Sequence, residues 1–307
     1  MEREGIRTSV RIRDFLSKRN VHFVVLVTAA LLLSYPSLNT FLSSSRHWEY
    51  NSHMAMIPIV SAYLIYERRK AVFSDNKYSF RAALPLLVTS CALYLAGLGH
   101  AARLSQNDLA SVLFLSLVIF VVGSFILFYG TKALRAATFP LLFLLLMVPV
   151  PDALMDAAIR FLQAGSTEIA DVLFMMSGIS YLRDGFVFHL PGQSIEVAPQ
   201  CSGIHSGLAL LITAVLAGQL FLTSPWKKII LAACVIPMTI FKNGIRIATL
   251  SIFSAYFDPK ILQSSLHREG GVPFFIVALL LMAPVLFLLR QLEKKDPPVR
   301  KEWPPDD

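Results

Sequence analysis

The chain is short of charge. Only 16% of its residues are Asp, Glu, Lys or Arg against 55% hydrophobic, and the mean hydropathy is +0.60. Soluble chains carry roughly a quarter charged residues, so an ordinary soluble domain is excluded for want of polar surface to coat it. Cysteine is also scarce: of three in 307 residues, Cys91 and Cys234 lie inside apolar runs, which argues against a disulfide framework. No HExxH helix and no metal-ligand spacing joins the histidines, with His22, His47, His53, His100 and His189 scattered along the chain. No metal and no cofactor is therefore expected. There is no internal repeat, low-complexity stretch or second domain: residues 1–290 read as one transmembrane domain, and 291–307 as a short polar tail too Pro-rich to fold alone.

What the chain has is apolar runs. A bilayer span needs about 20 residues at 1.5 Å rise each, and such stretches lie at 21–42, 53–66, 82–100, 108–129, 134–150, 203–222, 228–257 and 272–290. The second and fifth are short. An all-α polytopic membrane protein of about eight helices is the fold class expected. Prolines 36, 58, 85 and 237 would kink their helices, which neighbouring helices make tolerable. The first span follows a charged 20-residue head and exceeds a signal-peptide core, so it reads as an uncleaved anchor.

The net charge of +8, from 28 Lys and Arg against 20 Asp and Glu, raises nucleic acid as a partner. The placement of the cations answers it. Segments 1–20, 67–81, 130–138, 223–228 and 290–307 carry 20 of them, whereas the alternate segments 43–52, 101–107, 151–202 and 258–271 carry six. By the positive-inside rule both termini are expected in the cytoplasm. The basic charge is topological, and nucleic acid binding drops out. The remaining two cations, Lys242 and Arg246, lie inside the seventh span.

The longest loop, 151–202, is then extracytoplasmic. Its first half is amphipathic at helical spacing (Leu154, Ala158, Phe161, Leu162, Ile169, Leu173), which predicts a helix at the interface or on the bundle. In its second half Phe186, Phe188, Ile195 and Val197 alternate around Pro191-Gly192, which predicts a short β-hairpin with a turn there.

The hairpin runs into IEVAPQCSGIHSGLALL, where the sixth span begins and Cys201 sits at its outer end. In the first turn of that helix, Cys201 would meet unpaired N–H groups and about half a positive charge, which favour a thiolate and can hold an oxyanion. Ser202 suits the N-cap, and Gly203 and Gly207 leave room for close helix or substrate approach. The bland alternative is a small buried cysteine, and Cys91 and Cys234 take that reading. In the seventh span FKNGIRIATLSI places Arg246 18 residues past Lys228, about 27 Å by helical rise and near the level of Cys201. An intraspan Arg costs about 2.5–3.5 kcal/mol on insertion scales, so it has a job or a partner. Asn243 shares its face at i, i+3, and Lys242 either joins it or snorkels inward. His267, in LHREGGVPFF before the eighth span, comes to the same side. A thiolate, an imidazole and a fixed cation are what acyl transfer needs. His205, at i+4 from Cys201, is the rival base, one turn deeper.

The blocks VAPQCSGIHSGLALL and NGIRIATLSI with the His267 loop resemble the exosortase/archaeosortase family, over residues from about 80 to 290. The approach segment GFVFHLPGQSIEVAPQ is similar too. The resemblance implies a membrane cysteine transpeptidase, with Cys201 as nucleophile, Arg246 as the essential cation and His267 as the third catalytic member. Its substrates would be exported proteins ending in a short motif, a span and a basic tail, the PEP-CTERM-like signals, and the acyl-enzyme would pass to an acceptor nucleophile. The implied site is in the inner membrane of a prokaryote, facing outward. His205 stands where many relatives carry Arg, which implies a subfamily substrate contact. Two other readings stay open: an intramembrane cysteine protease with water as acceptor, and an anion transporter using Lys242 and Arg246. Against the transporter, no inverted repeat and no matched pair of broken helices is found.

Overall fold

The computed structural model describes residues 18–42, 52–74, 77–256 and 271–295. The chain forms two compact units, divided between Leu154 and Met155.

In the first unit, helix α1 is Lys18–Leu42, and a short 3-10 turn precedes α2, Met56–Glu67, and α3, Arg69–Val72. Helices α4, Phe80–Gly99, and α5, Gln106–Ala136, form its long hairpin, followed by α6, Thr138–Phe143, and a 3-10 turn at Leu144–Met147. Ser105 caps α5, its hydroxyl accepting from the Asp108 N–H at 3.0 Å. Gly130 interrupts α5 with φ 85°, a conformation open to glycine, and a Cβ there would lie 2.6 Å from the Lys77 carbonyl oxygen. The start of α7, Asp152–Ser177, is tied back by Asn107, whose amide donates to Val150 O at 2.7 Å and to Asp152 at 2.8 Å.

The rest of α7 opens the second unit. Strands β1 (Leu182–Asp184), β2 (Val187–Leu190) and β3 (Gln193–Glu196) follow as an antiparallel meander in the order β1-β2-β3. The expected hairpin turn at Pro191-Gly192 joins β2 to β3, with Leu190 opposite Gln193, and β1 adds a strand that the alternation did not reveal. Phe188 is fully buried and packs on Phe174 of α7, their ring centroids 4.9 Å apart. Helices α8 (Ile204–Phe221), α9 (Pro225–Ala233), α10 (Val235–Tyr256) and α11 (Gly271–Lys295) complete the unit. A core of Leu210, Ala214, Leu231, Val235, Ala278 and Met282 binds these four together.

The seventh expected span is broken between α9 and α10 at Cys234, for a reason written in Pro237. Proline lacks the N–H that would reach the Ala233 carbonyl. The ladder accordingly runs from Cys234 N to Ile230 O at 2.9 Å and from Met238 N to Cys234 O at 3.2 Å.

Among the described residues, five helical stretches combine the length and hydropathy to cross a bilayer: Phe80–Gly99, Gln106–Ala136, Pro199–Phe221, Pro225–Tyr256 and Pro273–Glu293. Counting the broken pair Thr138–Met147 and Asp152–Ser177 as one span gives six. The expected eight is not reached by helix length. The 53–66 stretch is the 12-residue α2, which at about 1.5 Å per residue is too short alone for a core of about 30 Å. The 134–150 stretch is cut short after α6 by a 3-10 turn that leads into Pro149 and Pro151.

Candidate active site

Cys201 ends a 3-10 turn, Pro199–Cys201. Its N–H donates to Ala198 O at 2.8 Å and the Ser202 N–H to Pro199 O at 3.1 Å. Gly203 then takes φ 82° and α8 begins at Ile204. Two expectations are corrected here. Cys201 stands one tight turn ahead of the helix, not in its first turn, and the N-cap is Gly203, not Ser202. The chain must pass from the 3-10 turn into the helix by a residue at positive φ, which glycine provides without steric cost. Ser202, still in right-handed conformation at φ −66°, ψ −18°, makes no side-chain cap. Its buried hydroxyl has no hydrogen-bond partner among the described residues.

The Cys201 turn is held from α10. Asn243, fully buried, donates from Nδ2 to the Cys201 carbonyl at 2.7 Å. Its side chain fills the space a larger residue would need at 203: a Cβ on Gly203 would lie 3.0 Å from Asn243 Cγ. One turn further along both helices the pattern repeats, a Cβ on Gly207 coming 3.0 Å from Thr239 Cγ2. Lys242 is also buried in this seam and donates to the Ser206 hydroxyl. Glycines four apart are what let two helices meet this closely. Gly165 of α7 faces Ile240 and Gly244 of α10 faces Ile169, so α10 is packed closely on two sides.

The sheet is fixed to the same helix. Gln193 donates to Ser251 O at 3.3 Å and accepts from Ser254 Oγ at 2.9 Å. From α7, Gln163 donates to Val197 O at 2.6 Å, just ahead of the Cys201 turn. At the far edge Arg183 of β1 bridges Glu168 at 2.5 Å and Asp171 at 3.1 Å, the first of these bonds doing most to raise its pKa. Tyr181 donates to Asp171 at 2.8 Å, and burial first, then this bond, pushes its phenol above the ordinary range.

A cleft of about 40 Å³ opens at Cys201, room for one or two water molecules. Residues 195–197 at the end of β3, Cys201, and Asn243, Arg246 and Leu250 of α10 line it. Cys201 and Arg246, which start 45 residues apart, thus share one wall-to-wall space. His205, the second residue of α8, is half-buried and outside the lining. His267 lies outside the described residues. Among the described residues no group of three His, Cys, Asp or Glu side chains is placed to hold a metal.

The amides that shape the cleft, Gln163 and Gln193, were not singled out from sequence. Each is one of several polar residues in its segment, and nothing in spacing says which backbone group it will meet.

Residues 45–284 match the family model for transmembrane exosortases (Exosortase_EpsH), 240 of the 307 residues. The chain belongs to the transmembrane exosortase family. No curated protein and no solved structure matches it. The matched region holds the whole of this exosortase-family cleft and the His267 position as well. Together with the crossing helices, the match makes the chain a multi-pass membrane protein.

Proposed function

We propose that this chain is a membrane-embedded cysteine peptidase of the transpeptidase type, which removes PEP-CTERM-like C-terminal sorting signals from exported proteins. The observation that carries the reading is the shared cleft, in which Cys201 and Arg246 are the thiol and the cation. Cys201 Sγ attacks the carbonyl of the scissile peptide, and the developing oxyanion is neutralised by the Arg246 guanidinium. His267 accepts the thiol proton and returns it to the departing amine, so the tail leaves with its span and basic end. The thioester left on Cys201 then passes its acyl group to an acceptor nucleophile. Asn243 acts through the Cys201 backbone and Ser202 and Gly203 set the turn, while His205 meets substrate from α8. With 20 of the 28 cations on the segments that share a side with the termini, the site faces outward from the inner membrane, where the substrate's cleavage motif also lies.

The experiment is expression of a reporter bearing such a tail beside the intact chain or Cys201→Ala. Only the intact chain should shorten the reporter, with both proteins inserted to equal levels. Processing by Cys201→Ala would sink the assignment.

A further inference from the structure

The sheet in the second unit ends in an unused edge. Its order is β1-β2-β3, so among the described residues β3 has a partner on one side only. The register says which groups face the open side. Val197 N donates to Phe186 O at 2.9 Å, and Phe188 stands opposite Ile195. Hydrogen-bonded pairs alternate along an antiparallel ladder, so the N–H and C=O of residues 193, 195 and 197 point to β2. Those of Ser194 and Glu196 point outward, about 6.8 Å apart, which is the repeat of an extended peptide. Both residues are exposed.

This edge opens on the cleft. Ile195, Glu196 and Val197 all line it, although successive side chains point to opposite faces of a sheet. A space touching all three meets the strand at its edge, not on one face. From Glu196 the chain reaches Cys201 in five residues.

Building on the peptidase reading, we propose that the edge of β3 is the docking rail for substrate. The extended residues beside the scissile bond pair with the backbone of Ser194 and Glu196 as a fourth strand, and are thereby led to Cys201. Main-chain pairing of this kind supplies affinity without demanding a sequence. It suits an enzyme acting on many proteins that share little beside a short motif.

Disulfide trapping tests it. In a chain carrying Cys201→Ala, Cys91→Ser, Cys234→Ser and Ser194→Cys, single cysteines are walked through six residues of a tail-bearing reporter, beside its motif. Strand pairing predicts crosslinks at every second position. Crosslinks at all positions or none, or a disulfide between two copies of the chain through residue 194, overturn it. A second arm uses Ser194→Pro with Cys201 intact. It removes one outward N–H and leaves the ladder to β2 in place. Processing should slow about fivefold, the effect of one backbone hydrogen bond, at unchanged insertion level; an unchanged rate counts against the rail. If the intact chain leaves the reporter uncut, the peptidase reading itself falls and this one with it. A reporter that is cut but shows no alternation removes the rail alone.

Discussion

Gly203→Ala puts a small perturbation at the hinge of the site, and its size follows from the geometry. At φ 82° an alanine occupies the left-handed region, at about 1–2 kcal/mol. Its Cβ would also stand 3.0 Å from Asn243 Cγ and 3.1 Å from Oδ1. The amide must then retreat from the 2.7 Å bond it gives the Cys201 carbonyl, and losing that bond adds about 0.5–1.5 kcal/mol. Together these come to about 2–3 kcal/mol, concentrated two residues from the thiol. The turn relieves the strain most easily by moving, which carries Cys201 away from Arg246. Tail processing in reconstituted vesicles should fall about 30- to 150-fold, with insertion unchanged. Gly207→Ala is the control: its Cβ is as crowded, 3.0 Å from Thr239 Cγ2, but it sits inside the helix and does not touch the Cys201 turn. That variant should lower the melting temperature and keep most of the processing. Gly203→Ala and Asn243→Ala break the same contact, so their effects should fall short of additive by about 1 kcal/mol. A wild-type rate for Gly203→Ala, or equal losses for the two glycine variants, would refute the reasoning.

Three further outcomes are expected. Arg246→Lys keeps the charge but loses the planar fork, and the turnover of tail-bearing reporter should drop about 10²- to 10³-fold with little change in its apparent affinity. His267→Ala should abolish the neutral-pH reaction while His205→Ala mainly raises the substrate concentration needed; the reverse pattern would make His205 the base. Lys242→Met replaces a buried cation with an apolar side chain of similar length, so the melting temperature should hold or rise and processing should survive. An anion flux through proteoliposomes that persists in Cys201→Ala and vanishes in Lys242→Met would point instead to transport.

Much of the second unit was legible in residues alone, because its signals are local. Alternation around Pro191-Gly192 gave the hairpin, helical spacing from Leu154 to Leu173 gave α7, and Pro237 announced the break that falls at Cys234. The junction at Cys201 was legible only in part. Hydropathy marks where apolar residues begin, but the helix start depends on backbone angles, and Gly203 rather than Ser202 supplies the needed one. Strand β1 was missed because Leu182–Asp184 has three residues, too few to show a period. Among the described residues the expected span count is not reached by helix length where Met56–Glu67 and Thr138–Phe143 are apolar yet short. Asn243 could be put on a face with Arg246 by spacing, but its bond to the Cys201 carbonyl joins residues 42 apart and has no trace in the sequence.

The seam between α8 and α10 shows where stability has been given up. Ser202 Oγ, Thr239 Oγ1 and Asn243 Oδ1 are buried there without a hydrogen-bond partner among the described residues, each at about 1–3 kcal/mol. Lys242 is buried beside them. Leucines on a wider helix spacing would fill the same volume without these costs, as Leu210, Leu231 and Met282 do deeper in the unit. The polar residues are not scattered: they begin at the Cys201 turn and continue along the two helices that hold it. At the Cys201 end an apolar seam would need a larger side chain at 203, and that would push Asn243 outward, with Arg246 one turn beyond it. Close approach of α8 and α10 is therefore the condition for Cys201 and Arg246 to share one cleft, and the unsatisfied groups are what that closeness costs.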